Sequence, residues 1–144
     1  MSGQVRAQRN SNPGNVEAGQ EWQGLMPRAQ MTPDQAAEAR FAVFESPKWG
    51  FRALGIILLN YVRLHGLTTI RQIIGRWAPS IENDTGSYVT AVARGVGVGP
   101  DTPLDFTKPD LLAALAKAIA IHEAGSWLFN DDDLESGIHM AAAS

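Results

Sequence analysis

The sequence predicts a mainly α-helical (α+β) domain with a small irregular or β lobe near its N-terminus. Three observations point there. From Ser46 onward, apolar residues recur at spacings of three and four, the period of one helix face. Pairs of helix start and stop residues punctuate the same region. Residues 1–20, MSGQVRAQRNSNPGNVEAGQ, instead mix Gly, Asn, Ser and Pro, which favour turns and irregular backbone. The 144 residues, 44% of them hydrophobic, are enough for one core, so a single domain over 1–144 is expected, with 1–8 and 130–144 as loose termini.

The elements follow in chain order. Short extended pieces are expected around Val16 to Trp22 and Arg40 to Phe44, because Phe41, Val43 and Phe44 are apolar and suit a strand. Between them, Thr32 as N-cap, Pro33 at the first helical position and Gln35 at the capping-box position predict one or two helical turns. A central helix begins at Ser46-Pro47 and stops at Gly66, with Trp49, Ala53, Ile56 and Ile57 on its wide apolar face. A second starts at Thr68, carries Ile70, Ile73, Ile74 and Trp77, and ends before Pro79. A third starts near Asn83 or Asp84 and runs through Tyr88, Val89, Val92 and Val96 into GVGVGP. A fourth has Thr107 as cap, Asp110 at the reciprocal position, and Gly125 as its stop. The tail holds room for one more short helix from Asp132 or Asp133.

Composition removes several functions. With 12 basic residues against 15 acidic ones, dispersed along the chain, no basic face for nucleic acid is visible. The absence of cysteine excludes disulfides, zinc-thiolate sites and thiol catalysis. The run ALGIILLNYV is too short for a membrane span, and no signal peptide is seen at the start. His65, His122 and His139 lack a metal-binding spacing, GVGVGP lacks the lysine of a phosphate loop, and Asp131 to Asp133 lack the alternation of a calcium loop. No metal and no cofactor are expected.

One carboxylate stands out. On the fourth helix Leu111, Leu112, Leu115 and Ile119 form an apolar stripe, and His122 and Glu123 project within or beside it. A carboxyl withdrawn from water is held toward its protonated form, which suits donation of a proton to a leaving oxygen; the helix C-terminus acts in the same direction. The alternative is a carboxylate at a fraying helix end, in solvent or paired with Arg9 or Arg52. Glu82, Asn83 and Asp84 are either caps of the third helix or ligand contacts. Arg9, Asn10, Asn12 and Asn15 either form a Pro-Gly turn or bind a polar ligand. Trp22, Trp49, Trp77 and Trp127 could line a sugar groove, with a core role expected at least for Trp49 and Trp77.

The ordered set RNSNPGN, WQG, FAVFESPKWGFRAL, RWAPSIENDTGSY and AIAIHEAG resembles a group of small phage proteins described as virion or structural proteins, over about Arg9 to Gly125. A fainter resemblance is to the lysozyme-like superfamily, in particular bacterial glucosaminidases and lytic transglycosylases. There a helix ends in a catalytic glutamate, a small β or irregular lobe follows, and further helices complete a sugar groove. NSNPGN is similar to the Asn-rich turn of the glucosaminidase type, and AIAIHEAG to the end of the catalytic helix. No helix with a glutamate precedes Arg9, so the resemblance implies a circular permutation in which the last long helix plays the part of the first.

The resemblances imply a lysozyme-like helical domain carried in a virion and acting at the bacterial cell wall. Glu123 would be the catalytic acid, with Arg9, Asn10, Asn15, Glu82 and Tyr88 as substrate-binding residues. Peptidoglycan glycan strands and other virion proteins would be the partners, and the reaction that of a muramidase or lytic transglycosylase. The alternative is a non-catalytic virion subunit, in a tail, baseplate or capsid, that keeps the fold. The enzymatic reading requires Glu123 to face the Asn10 to Asn15 turn and Tyr88 across one groove.

Overall fold

The computed structural model describes residues 4–80 and 84–144. Seven helices are described: α1 (Arg6–Arg9), α2 (Pro33–Ala37), α3 (Pro47–His65), α4 (Ile70–Trp77), α5 (Thr85–Val96), α6 (Pro109–Ala124) and α7 (Asp131–Ala142), with a single 3-10 turn at Arg28–Gln30. Their ends obey capping chemistry. Thr32 and Gln35 close a capping box on α2, as Thr69 and Gln72 do on α4. Asp84 accepts from the Ser87 amide at the start of α5, and Asn130 from the Asp133 amide at the start of α7. Gly66, Gly97 and Gly125 end α3, α5 and α6 in the left-handed conformation.

Helix α3 is the axis of the molecule. Phe51, Leu54, Leu58 and Leu59 are fully buried in a core shared with Ile70, Ile73 and Ile74 of α4, Val92 of α5, and Leu112, Leu115 and Ile119 of α6. Helix α7 lies along α3 at very close range, and two glycines make that possible. A Cβ on Gly55 would come 2.8 Å from Ala141 Cβ, and one on Gly137 would come 2.5 Å from both the Lys48 carbonyl oxygen and Phe51 Cβ. A second, smaller core of Val16, Ala42, Phe44 and Ala53 joins the N-terminal segments to α3.

Several expectations need correction. There is no β lobe among the described residues. The segments around Val16 to Trp22 and Arg40 to Phe44 do meet, but through one isolated antiparallel bridge, Glu17 with Phe41; a second bridge joins Phe44 to Leu25, beyond the expected piece. The Ala42 amide still donates to the Val16 carbonyl, but the ladder goes no further because other groups take its next hydrogen bonds: the Val16 amide donates to Asn12 Oδ1, Asn12 Nδ2 donates to the Ala42 carbonyl, and the Phe44 amide donates to the Asn10 carbonyl. Gly19 and Gly24, both at positive φ, turn the backbone between the bridges.

The C-terminal tail is not loose, since Leu134, Ile138 and Ala141 are buried against α3 and its neighbours. At the other end Ala7 is buried within α1, so the expected looseness of 1–8 does not hold at that residue. Thr107 does not cap α6. Its amide and hydroxyl donate to Asp105, and the helix begins two residues later at Pro109. Ser46 occupies the cap position of α3 without a side-chain capping bond. No single helix among the described residues is long and apolar enough to cross a membrane.

The α3–α7 contact gives a direct test. Alanine normally stabilises a helix relative to glycine by roughly 0.5–1 kcal/mol. At Gly137 the new methyl meets backbone as well as a side chain, so Gly137→Ala is expected to lower stability by about 1–3 kcal/mol in chemical denaturation. A neutral or stabilising effect would mean that the two helices are not held at this spacing.

Candidate functional site

The site is assembled where the N-terminal turn reaches the end of α6. The turn from Asn10 to Asn15 is fixed first. Asn12, with no exposed surface, accepts from the Val16 amide and donates to the carbonyls of Val16 and Ala42 at 2.8–2.9 Å. The turn sits on α3 at Gly50, where a Cβ would approach Pro13 Cδ and the Ser11 carbonyl at 2.5 Å. This leaves Asn15 in the left-handed region at φ 48°, a conformation that asparagine tolerates better than most residues.

From that position Asn15 Nδ2 donates to Glu123 Oε1 at 2.9 Å. The Tyr88 hydroxyl donates to the other oxygen, Oε2, at 2.6 Å, and itself accepts from Trp77 Nε1 at 3.1 Å. Tyr88 is 2% exposed and its ring stacks on His122, with centroids 3.8 Å apart. Burial, then the Glu123 carboxylate and the hydrogen bond to it, push the Tyr88 phenol far above its ordinary value of 10, against the opposing effect of the Trp77 N–H. Burial also raises Tyr61, with Arg76 opposing.

Glu123 and Asn15 open onto a groove of about 710 Å³. Trp22, Trp77, Phe41 and Tyr61 contribute aromatic surface to it, and Arg6, Glu17, Arg40, Asn60 and His65 contribute polar groups. Flat aromatic faces beside charged and amide groups suit a ligand that is polar at its edges and less polar on its faces. The other tryptophans lie elsewhere: Trp127 packs with Phe51 and Phe129, and Trp49 packs against Gly24. Trp77 serves as core and as groove wall at once.

The structure brings together three of the residues singled out in the sequence, Asn15, Tyr88 and Glu123. Arg9 and Asn10 are placed differently. Arg9 pairs with Glu38 at 2.7 Å, and Asn10 is fully buried, so neither side chain lines the groove. Tyr88 lies behind Glu123 and is not part of the groove lining. Glu82 lies outside the described residues. Asp84 is a cap whose carboxyl is held below the usual range by its hydrogen bonds from the Ser87 amide and hydroxyl. Trp22 and Trp77 line the groove as their aromatic character suggested, whereas Glu17 and Tyr61 were missed as groove residues. Among the described residues no group of three or more His, Asp or Glu side chains could hold a metal ion.

The hydrogen bonds limit what Glu123 can do. As arranged, both oxygens accept, which suits the ionised form. The Asn15 amide can also serve the protonated form, because its Oδ1 is buried without a partner among the described residues. Turned over, that amide offers an acceptor to a proton on Oε1. One carboxylate oxygen thus meets the Asn15 amide, which lines the groove, and the other is fixed by the Tyr88 hydroxyl.

A small, mainly helical protein built around a groove with a doubly hydrogen-bonded glutamate is the class so defined. No protein-family model matches the sequence. The chain is 33% identical over 138 residues to Protein P5 of Pseudoalteromonas phage PM2, an alignment that covers 92% of this chain and 79% of that protein. The chain belongs to the same family of phage proteins. That relationship agrees with the phage resemblance of the sequence motifs; it carries no lysozyme-like fold or activity.

The tyrosine environment predicts an absorbance titration. Both phenols are raised above 10, so their contribution to stability is complete below pH 10 and is lost as pH rises above it, where the unfolded chain ionises first. At pH 10, while circular dichroism remains native, the two tyrosines together should give less tyrosinate absorbance than two unperturbed phenols, with none from Tyr88. Ionisation of Tyr88 in the folded protein at that pH would contradict its buried bond to Glu123.

Proposed function

We propose that this chain is a virion-associated protein that cleaves glycosidic bonds of peptidoglycan as the phage genome passes into the cell, with Glu123 as general acid. One observation carries the reading: a half-buried glutamate at the end of α6 is held by Asn15 and Tyr88 at the edge of an aromatic groove. The juxtaposition also supports the permuted lysozyme-like arrangement, because it joins a helix-terminal glutamate late in the chain to an Asn-rich turn near its start. Membership of a phage family supports the virion setting and, with it, contacts to other virion proteins.

In this mechanism a glycan strand lies along Trp22, Trp77 and Tyr61. Glu123 donates the proton on Oε1 to the glycosidic oxygen, Asn15 holds the acid in place from the groove side, and Tyr88 fixes Oε2 from behind. After the bond breaks, the same carboxylate can take a proton back, from water or from a sugar hydroxyl. Glu17 in the groove wall is the available second carboxylate, and its exposed pair with Arg40 at 3.2 Å costs little to rearrange.

A second reading is favoured by the same bonds. Glu123 ties the N-terminal turn and α5 to α6, so it would also serve as a structural latch in a non-catalytic virion subunit. Glu123→Gln separates the two. Glutamine preserves the shape and, with the Asn15 amide turned over, both hydrogen bonds. The enzymatic reading expects turbidity clearing of purified cell walls by the wild type, and a loss of about a hundredfold or more in the variant, with stability reduced by less than about 1 kcal/mol. A wild-type protein that clears no wall, or a variant that clears normally, would remove Glu123 from any such reaction.

A further inference from the structure

Trp77 lies in the groove wall, yet its most specific contact points away from the groove. Its Nε1–H donates to the Tyr88 hydroxyl at 3.1 Å, and that hydroxyl donates to Glu123 Oε2 at 2.6 Å. A phenol has one proton to give and a limited capacity to accept. With the indole N–H occupying the acceptor side of the oxygen, the phenolic proton is directed at the carboxylate. The ring cannot turn to another partner, because it is buried at 2% exposure and stacked on His122.

We infer that Trp77 is a positioning residue that acts on Glu123 through Tyr88: its indole N–H fixes the hydroxyl that fixes the carboxyl, while its ring forms part of the groove wall. Two hydrogen bonds in series polarise each other, so donation from the indole makes the phenol a better donor to Glu123. The same side chain joins the two regions, since α4 ends at Trp77 and the indole lies between the groove and the base of the acid. A ligand resting on the Trp77 ring would therefore be sensed at Glu123 through two bonds rather than by contact. The catalytic consequence rests on the glycosidase reading above; the relay itself does not.

The test uses the full chain and reads the relay without activity. Four tryptophans give four indole N–H signals in a ¹H–¹⁵N correlation spectrum, and Trp77→Phe identifies the one that belongs to Trp77. Glu123→Gln should shift that signal, and the shift should disappear when the same substitution is made in a Tyr88→Phe background. An unmoved Trp77 signal, or a shift that survives undiminished without the tyrosine hydroxyl, overturns the relay.

The kinetic arm applies Trp77→Phe, which keeps an aromatic ring and removes the N–H. The expected result in wall clearing is a kcat lower by about threefold to tenfold with KM within about twofold. A raised KM with unchanged kcat would assign Trp77 to ligand stacking alone and overturn its positioning role. Absence of clearing by the wild type would sink the glycosidase reading, while the spectra would still decide the relay.

Discussion

The site depends on Asn12. This side chain is fully buried near the start of the chain, and a single amide there makes three bonds to backbone. Those bonds stop the backbone pairing of the two segments at Val16 and Ala42, because Asn12 takes the Val16 amide and the Ala42 carbonyl that the next ladder position would use. The consequence is a rigid turn in place of a sheet edge, seated on the glycine surface of α3 at Gly50. Asn15, three residues on, inherits its left-handed backbone and its direction from that anchorage. Without it, the groove would lose the wall that meets Glu123.

The same economy holds on the helical side. Helix α6 packs against α5 closely enough that a Cβ on Gly95 would lie 3.0 Å from Ala118 Cβ. This brings Tyr88, on one helix, beneath Glu123, on the other. Tyr88 could not hold a buried hydroxyl there without partners, since an unsatisfied polar group is costly away from water. Trp77 and Glu123 supply both. Core packing and site geometry are therefore not separable: Trp77 packs against the main core, lines the groove and completes the hydrogen-bond chain.

Much of the helical fold was legible in the sequence because its signals are local. The Thr32 and Gln35 box, the glycine stops at 66, 97 and 125, and the three-and-four spacing of α3 to α6 each depend on residues within a turn or two. The errors came from competing partners that local patterns do not reveal. Phe41, Val43 and Phe44 are strand-prone, but Asn12 and Asn10, some thirty residues earlier, take the hydrogen bonds that a strand would need. Thr107 looked like a cap, but Asp105, two residues away, binds its hydroxyl and amide. The tail from 130 was expected to be loose beyond one short helix, yet the buried residues Leu134, Ile138 and Ala141 stand at helical spacing and dock it on α3.

The candidate site was legible only where its chemistry broke a pattern. Glu123 beside an apolar stripe is such a break, and so is an Asn-rich turn. Arg9 and Asn10 share that turn but not its destination, because their side chains point back into the ion pair with Glu38 and into the interior. Neighbours in sequence were separated by the direction in which the turn presents them. Glu17 reached the groove for the opposite reason, as an ordinary residue carried there by its bridge to Phe41. A carboxyl with one oxygen on the Asn15 amide and the other on a buried phenol joins these regions. The nearby polar contacts at Arg9 and Asn12 hold the turn to its own neighbours, whereas the Asn15 amide has one end on Glu123 and the other without a partner among the described residues, so of these three it is the one that hydrogen-bonds the turn across to α6.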